Sequence, residues 1–384
     1  MARARIIDAE NEAPPEVDRL GVWLHPRMVR SLYGHADAET AAIDAIGSNR
    51  MHHGWLITGE EGIGKATFAY RFARFLLARQ TETLPTAGAT LDADDDRVVR
   101  QVANLSHPGL FVVRRAWDQS GKKFRQSIAV DEVRALRHFL QRTAVTPWRV
   151  VVVDSADDLN ANSANAILKS LEEPPRRTVF LILSNAPGRL LPTIRSRCCL
   201  LRLEPLGAAD LARAVADACE AIDHDRPDAE KMRALTSLAR GSPRRALQLL
   251  EGDALAIADA LMRLLASLPA LDRTLLHKLV GLTGNRETEA YTTAFNLLEE
   301  TLASLARAAA IGEADARFPQ LRALAKLMTA DSLADWAELW ETIREARGEA
   351  ERLNLDKAAL MLIVFDRIEQ TAKAAAKRAG PSGR

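Results

Sequence analysis

Between the apolar run Trp55-Leu56-Ile57-Thr58 and the helically spaced stretch Thr67–Ala73 lies Gly59-Glu60-Glu61-Gly62-Ile63-Gly64-Lys65. A strand, a glycine loop ending in lysine and a helix, in that order, mark a phosphate-binding loop and leave few folds open. Glycines let backbone N–H groups wrap an anion, and the helix N-terminus adds positive potential. Lys65 would reach the terminal phosphates. The next position normally carries a Ser or Thr hydroxyl for magnesium, and here it is Ala66. Thr67 is no replacement, because one helical step turns a side chain by about 100°.

Further strand-like runs stand at Leu110–Arg114, Arg149–Val153, Thr178–Leu183 and Cys199–Leu203, with helical stretches between most of them. Continuous β-branched runs such as Val150–Val153 predict strands buried on both faces, hence a parallel sheet wrapped by helices. The sheet domain should end near Glu204-Pro205. Beyond it the strand signal fades. Asp210–Glu220, Asp228–Arg240 and Pro243–Glu251 read as three short helices, and from about residue 255 to Arg378 the pattern is helical throughout. Ser332-Leu333-Ala334-Asp335 reads as a capping box ahead of Trp336, Leu339, Trp340 and Ile343, whose spacing suits a bundle seam better than a binding face.

Val150-Val151-Val152-Val153-Asp154 is an apolar strand ending in a carboxylate, the arrangement that holds magnesium through water in P-loop ATPases. Active ATPases usually follow it with a Glu that polarises the attacking water; here Ser155 follows, which cannot act as a base at neutral pH. Two positions that serve magnesium and water, 66 and 155, therefore both lack the needed group.

The remaining chemistry-bearing segments carry a resemblance. Val153-Asp154, Asn165-Ala166-Ile167-Leu168-Lys169-Ser170-Leu171-Glu172-Glu173-Pro174-Pro175 and Thr193-Ile194-Arg195-Ser196-Arg197-Cys198 closely resemble bacterial sliding-clamp loader subunits of the AAA+ class, over about residues 26–250. With its degenerate ATP site the chain is most similar to the delta-prime branch. The resemblance implies that Arg197 is a trans-acting arginine finger, projected onto a neighbour's ATP. It places Asn185 at the sensor-1 position and Arg244, in Gly241-Ser242-Pro243-Arg244, at the sensor-2 position, both as remnants. Gly59, Gly62, Gly64, Lys65 and Asp154 become the degenerate nucleotide site. The implied partners are tau/gamma and delta subunits in a hetero-oligomeric ring, the sliding clamp, and primed DNA reached through the complex. The rival reading is a competent ATPase, tau/gamma-like or another P-loop enzyme, against which Ala66 and Ser155 speak.

Family members often carry a four-cysteine zinc module after the P-loop helix, yet the stretch at about 80–107 has no cysteine. The chain's three cysteines, Cys198, Cys199 and Cys219, form neither a disulfide framework nor a zinc ribbon. No metal and no required cofactor is expected; weak ATP or ADP binding stays open. Thr81–Asp96 reads as an acidic exposed loop, and Arg114-Arg115, Lys122-Lys123 and Arg125 as a basic loop or hairpin tip. The formal net charge of +1 gives no global drive toward nucleic acid, and no apolar run approaches the ~20 residues of a membrane span. A cytoplasmic protein without membrane contact is expected.

The expected organisation is a flexible segment over 1–20, an AAA+ P-loop α/β domain with a parallel sheet over 21–205, a small three-helix lid over 206–254, and an all-α C-terminal collar over 255–384.

Overall fold

The apolar runs pair as one sheet. In the computed structural model, which describes residues 15–47, 51–79, 90–93, 95–283, 288–313, 319–353 and 355–378, the strands are β1 (Gly54–Thr58), β2 (Leu110–Val113), β3 (Trp117–Asp118), β4 (Lys123–Phe124), β5 (Arg149–Val153), β6 (Thr178–Ser184) and β7 (Cys199–Arg202). Five of them make a parallel sheet in the order β2-β5-β6-β1-β7. β3 and β4 form a separate antiparallel hairpin, with the Trp117 and Phe124 rings edge to face at 4.9 Å.

Period-two alternation sends neighbouring residues of β5 into two different cores. Val150 and Val152 face a cluster with Ile46, Phe68, Phe72 and Val102, which come from helices α1 (Ala36–Gly47), α2 (Lys65–Leu77) and α3 (Asp96–Ala103). Val151 and Val153 face Val133, Leu136, Ile167 and Ile194 from α4 (Val130–Gln141), α5 (Ala161–Glu172) and α6 (Pro192–Arg195). All five residues of β5 and all seven of β6 are buried, as a sheet covered on both faces requires. The parallel sheet wrapped by helices read from the sequence is observed, with the glycine loop directly after β1, and among the described residues only helices follow β7.

After β7 come α7 (Ala208–Ala221), α8 (Ala229–Ala239) and α9 (Pro243–Leu250). Asp228 starts α8 by accepting hydrogen bonds from the backbone N–H groups of Glu230 and Lys231 at 3.0 and 2.8 Å. The chain divides into two compact units, 1–247 and 248–384, with the division inside α9.

The second unit is helical: α10 (Ala254–Ala266), α11 (Arg273–Thr283), α12 (Thr288–Ala310), α13 (Arg322–Ala325), α14 (Leu333–Leu353) and α15 (Lys357–Arg378). Trp336, Leu339 and Ile343 are buried along α14, so their stripe is a bundle seam. The capping expectation at Ser332 is corrected in detail: its hydroxyl donates to the carbonyls of Leu327 and Thr329 at 2.6 and 3.2 Å, bracing the preceding turn. Among the described residues no helix is long and apolar enough to cross a membrane.

Candidate functional site

Parallel strands in an α/β sheet present their carboxyl ends to one side, and that is where loops can gather a ligand site. The loop after β1 runs through Gly59, Gly62 and Gly64, with φ of +148°, +77° and +109°. At Gly62 a side chain would be strained and also blocked, since an added Cβ would stand 2.5 Å from Ser242 Oγ and 2.7 Å from Arg244 Cβ. Lys65 opens α2 and is only 7% exposed. Its Nζ turns back into the loop, donating to the Gly59 carbonyl at 2.8 Å and the Glu60 carbonyl at 2.5 Å. Burial lowers its pKa to about 8, against the opposing pull of the Asp154 charge.

Asp154, at the end of β5, is buried, and its Oδ2 receives no hydrogen bond from a protein donor. Burial, and after it the carboxyl of Asp18 alongside, hold the Asp154 carboxyl well above the usual carboxylate range. Burial raises Asp18 likewise, against the charges of Arg114 and Arg244. Both carboxyls line the same cavity, and like charges brought close in a buried place disfavour ionisation of both.

Ser155 has a different task from the glutamate it replaces. Its Oγ donates to Asp157 Oδ2 at 2.9 Å. Asp157 also accepts from Ser184 Oγ at 2.7 Å, the Asn185 N–H at 2.5 Å and the Ala186 N–H at 3.3 Å. Asn185 thus has its backbone anchored after β6 while its side chain is exposed at the cavity rim. Asp157 is the organiser of this corner, and the sequence reading gave it no role.

Arg244, near the start of α9, lies across the loop. Its N–H reaches the Gly62 carbonyl at 3.3 Å, Ser242 Oγ donates to the Glu61 carbonyl at 3.3 Å, and Arg244 Nη1 donates to the Asp18 carbonyl at 3.0 Å. Gly62, Gly64, Lys65, Asp154, Asn185 and Arg244 line one cavity of about 810 Å³, whose wall also includes Asp18, Leu20, Trp23 and Tyr33.

The lead-in expected to be flexible supplies part of that wall. Residues 1–14 lie outside the described residues, but 15–20 are held in place. Glu16 accepts from Arg27 Nη1 and from Arg114 Nη2, each at 2.7 Å. Burial opposes its ionisation, yet these two bonds and charges bring its pKa down to about 2. His25 beside it is buried and falls to about 3, from burial first and then the Arg27 charge. The available signal was the apolar series Val17, Leu20, Val22, Trp23 and Leu24, which a purely solvated lead-in does not need.

Arg197 stands apart from the cavity, two residues past α6. It is partly exposed; Nη2 lies 2.8 Å from Glu172 Oε1 and Nη1 donates to the Thr193 carbonyl at 3.0 Å. Two bonds in a planar fork orient the guanidinium while leaving further N–H groups available. Glu172, at the end of α5, was quoted only as part of a motif.

The charged loops are largely self-satisfied. Residues 80–89 and 94 of the acidic stretch lie outside the described residues. Asp92 pairs with Arg71 at 2.7 Å, Asp95 caps α3, and Asp96 pairs with Arg30 at 2.7 Å. In the basic stretch Arg114, Arg115 and Arg125 pair with Glu16, Asp158 and Glu132, while Lys122 and Lys123 are exposed at the hairpin tip. Among the described residues no group of three or more His, Cys, Asp or Glu side chains is placed to hold a metal ion.

Residues 34–207 match the family described as "DNA polymerase III, delta subunit". The delta-prime subunit of DNA polymerase III from Pseudomonas aeruginosa is 36% identical over 204 residues, covering 52% of this chain and 56% of that protein. Its counterpart from Escherichia coli is 31% identical over 231 residues, covering 59% and 63%. The tau/gamma subunit from Haemophilus influenzae is 28% identical over 237 residues, covering 61% of this chain and 32% of that protein. The matches thus span between about a third and just under two thirds of these relatives.

Proposed function

We propose that the chain, which is similar over about half its length to delta-prime subunits of DNA polymerase III, is a non-hydrolysing AAA+ subunit of a sliding-clamp loader. In this reading it joins tau/gamma-type and delta-type subunits in a hetero-oligomeric ring that places the clamp on primed DNA. It lends Arg197 to the ATP of the neighbouring subunit. Its expected divisions are the P-loop domain to residue 205, the lid to 254 and the collar beyond.

One observation carries the non-hydrolysing half: the groups a P-loop ATPase turns toward a magnesium-bound triphosphate are here turned toward the chain itself. Lys65 Nζ is on two loop carbonyls, Arg244 is on the Asp18 carbonyl, and Asp154 is buried in the same cavity wall as Asp18. Ala66 has no hydroxyl for the metal, and the Ser155 hydroxyl is bonded to Asp157. These residues do not fit a magnesium-bound triphosphate. Weak binding of a nucleotide without metal is compatible with the loop N–H groups and the apolar wall.

The active half rests on Arg197. A guanidinium that reaches a transferring phosphoryl group stabilises its developing charge, an effect of about 10³–10⁵ in rate, or roughly 4–7 kcal/mol. The orientation imposed by Glu172 and Thr193 suits a residue that must act outside its own fold. The test is a complex reconstituted with tau/gamma and delta and containing either wild-type chain or Arg197→Ala. The variant assembles normally, and DNA-stimulated ATP turnover loses the share of the site Arg197 faces. An unchanged rate refutes the finger role.

A further inference from the structure

The lead-in around Asp18 does more than pack beside the P-loop. Glu16 fastens it through Arg27 and Arg114, each at 2.7 Å, and Trp23 beyond it is 2% exposed. Between those anchors the chain delivers two groups of a single residue to the cavity. The Asp18 carbonyl accepts from Arg244 Nη1 at 3.0 Å, and the Asp18 carboxyl shares the cavity wall with that of Asp154. Oδ2 of Asp18 and Oδ2 of Asp154 are both buried and receive no hydrogen bond from a protein donor.

A metal-bound triphosphate needs Asp154 free to face the ion's waters and Arg244 free to face the phosphates. Asp18 engages both. It also adds an acidic group where further negative charge would have to enter, and like charges at short range repel strongly where water is scarce.

Resting on the non-hydrolysing reading above, we propose that Asp18 is the specificity-determining residue of this cavity. It is a built-in occupant of the Asp154 end that excludes metal-bound nucleoside triphosphates. The hydroxyl missing at Ala66 weakens the metal site; Asp18 closes it. The glycine loop and the apolar wall stay accessible, so exclusion falls on the triphosphate and its metal rather than on nucleotides in general.

The test is equilibrium binding of a fluorescent ATP analogue to the full chain, with and without Mg²⁺. Wild type is compared with Asp18→Asn, which keeps the shape and can donate to Asp154, and with Asp18→Ala, which clears the position. Circular dichroism and Tm verify folding. Wild type and Asp18→Asn, which still occupies the Asp154 end, show no strengthening by Mg²⁺, whereas Asp18→Ala binds the Mg²⁺ form at least about tenfold more tightly, a change of roughly 1.4 kcal/mol. The gain disappears when Lys65→Ala is added, which places it in the glycine loop. Unchanged affinity in folded Asp18→Ala overturns the proposal, as does a gain that survives Lys65→Ala or tight Mg²⁺-dependent binding by wild type. Turnover by wild type would instead sink the non-hydrolysing reading, so the two failures are distinguishable.

Discussion

Replacing Lys65 by Met should stabilise the first unit at neutral pH. Lys65 is 7% exposed, and burial takes its pKa from an ordinary 10.5 to about 8. A base whose folded pKa is lowered destabilises the fold wherever it is charged. The penalty is fully present below about pH 8, shrinks as pH rises, and is gone above the unfolded value of 10.5. The difference between those two values converts to roughly 3 kcal/mol at neutral pH.

Methionine fills a similar volume without charge but gives up the bonds to the Gly59 and Glu60 carbonyls, each worth about 1 kcal/mol. The net gain for Lys65→Met is therefore about 1–2 kcal/mol near neutrality. The pH dependence is the sharper signature. Between about pH 7 and about pH 9.5, wild type should gain roughly 2 kcal/mol that the variant does not, because only wild type carries the titrating amine.

Urea unfolding read by hydrogen exchange in peptides from β1 and α2 follows this unit without the second one. Taking the difference between wild type and variant cancels other titrating groups, such as the Cys198 thiol that burial pushes up to about 11. A variant that is less stable near neutrality and keeps the wild-type pH dependence would refute the buried-charge reasoning.

Two further outcomes follow from the site and its neighbourhood. Gly62→Ala puts a Cβ at φ +77° and 2.5 Å from Ser242 Oγ, so it should destabilise the first unit by about 1–3 kcal/mol in urea titrations; a neutral effect would mean that the 242–244 segment is not seated on the loop. Metal analysis should find no stoichiometric zinc, and EDTA should leave the Tm unchanged; zinc at one equivalent would contradict the reading of the cysteine-free stretch.

What could be read in advance follows how local each signal is. The glycine spacing around Lys65 and the valine run before Asp154 specify their elements within a few residues, and both elements form where expected. The order β2-β5-β6-β1-β7 has no such signature, because register between strands far apart in sequence comes from packing. Asp18 and Glu16 looked like solvated lead-in residues, since their partners Asp154, Arg244 and Arg114 all lie far downstream. Ser155 read as a loss of function, and the fold gives its hydroxyl a structural partner in Asp157 that no motif announces. Arg197 was singled out only through the family resemblance. An arginine bonded to Glu172 and to the Thr193 carbonyl is otherwise indistinguishable from an ordinary surface ion pair.

The most direct test of the central claim is steady-state ATP hydrolysis by the purified chain alone, at saturating Mg²⁺ and ATP, with and without primed DNA and with Lys65→Ala as the blank. The account predicts a rate equal to the blank under both conditions, since Ala66 and Ser155 lack the groups that serve magnesium and water in an active site of this kind. Turnover well above that blank, stimulated by DNA as in a motor subunit, would contradict it.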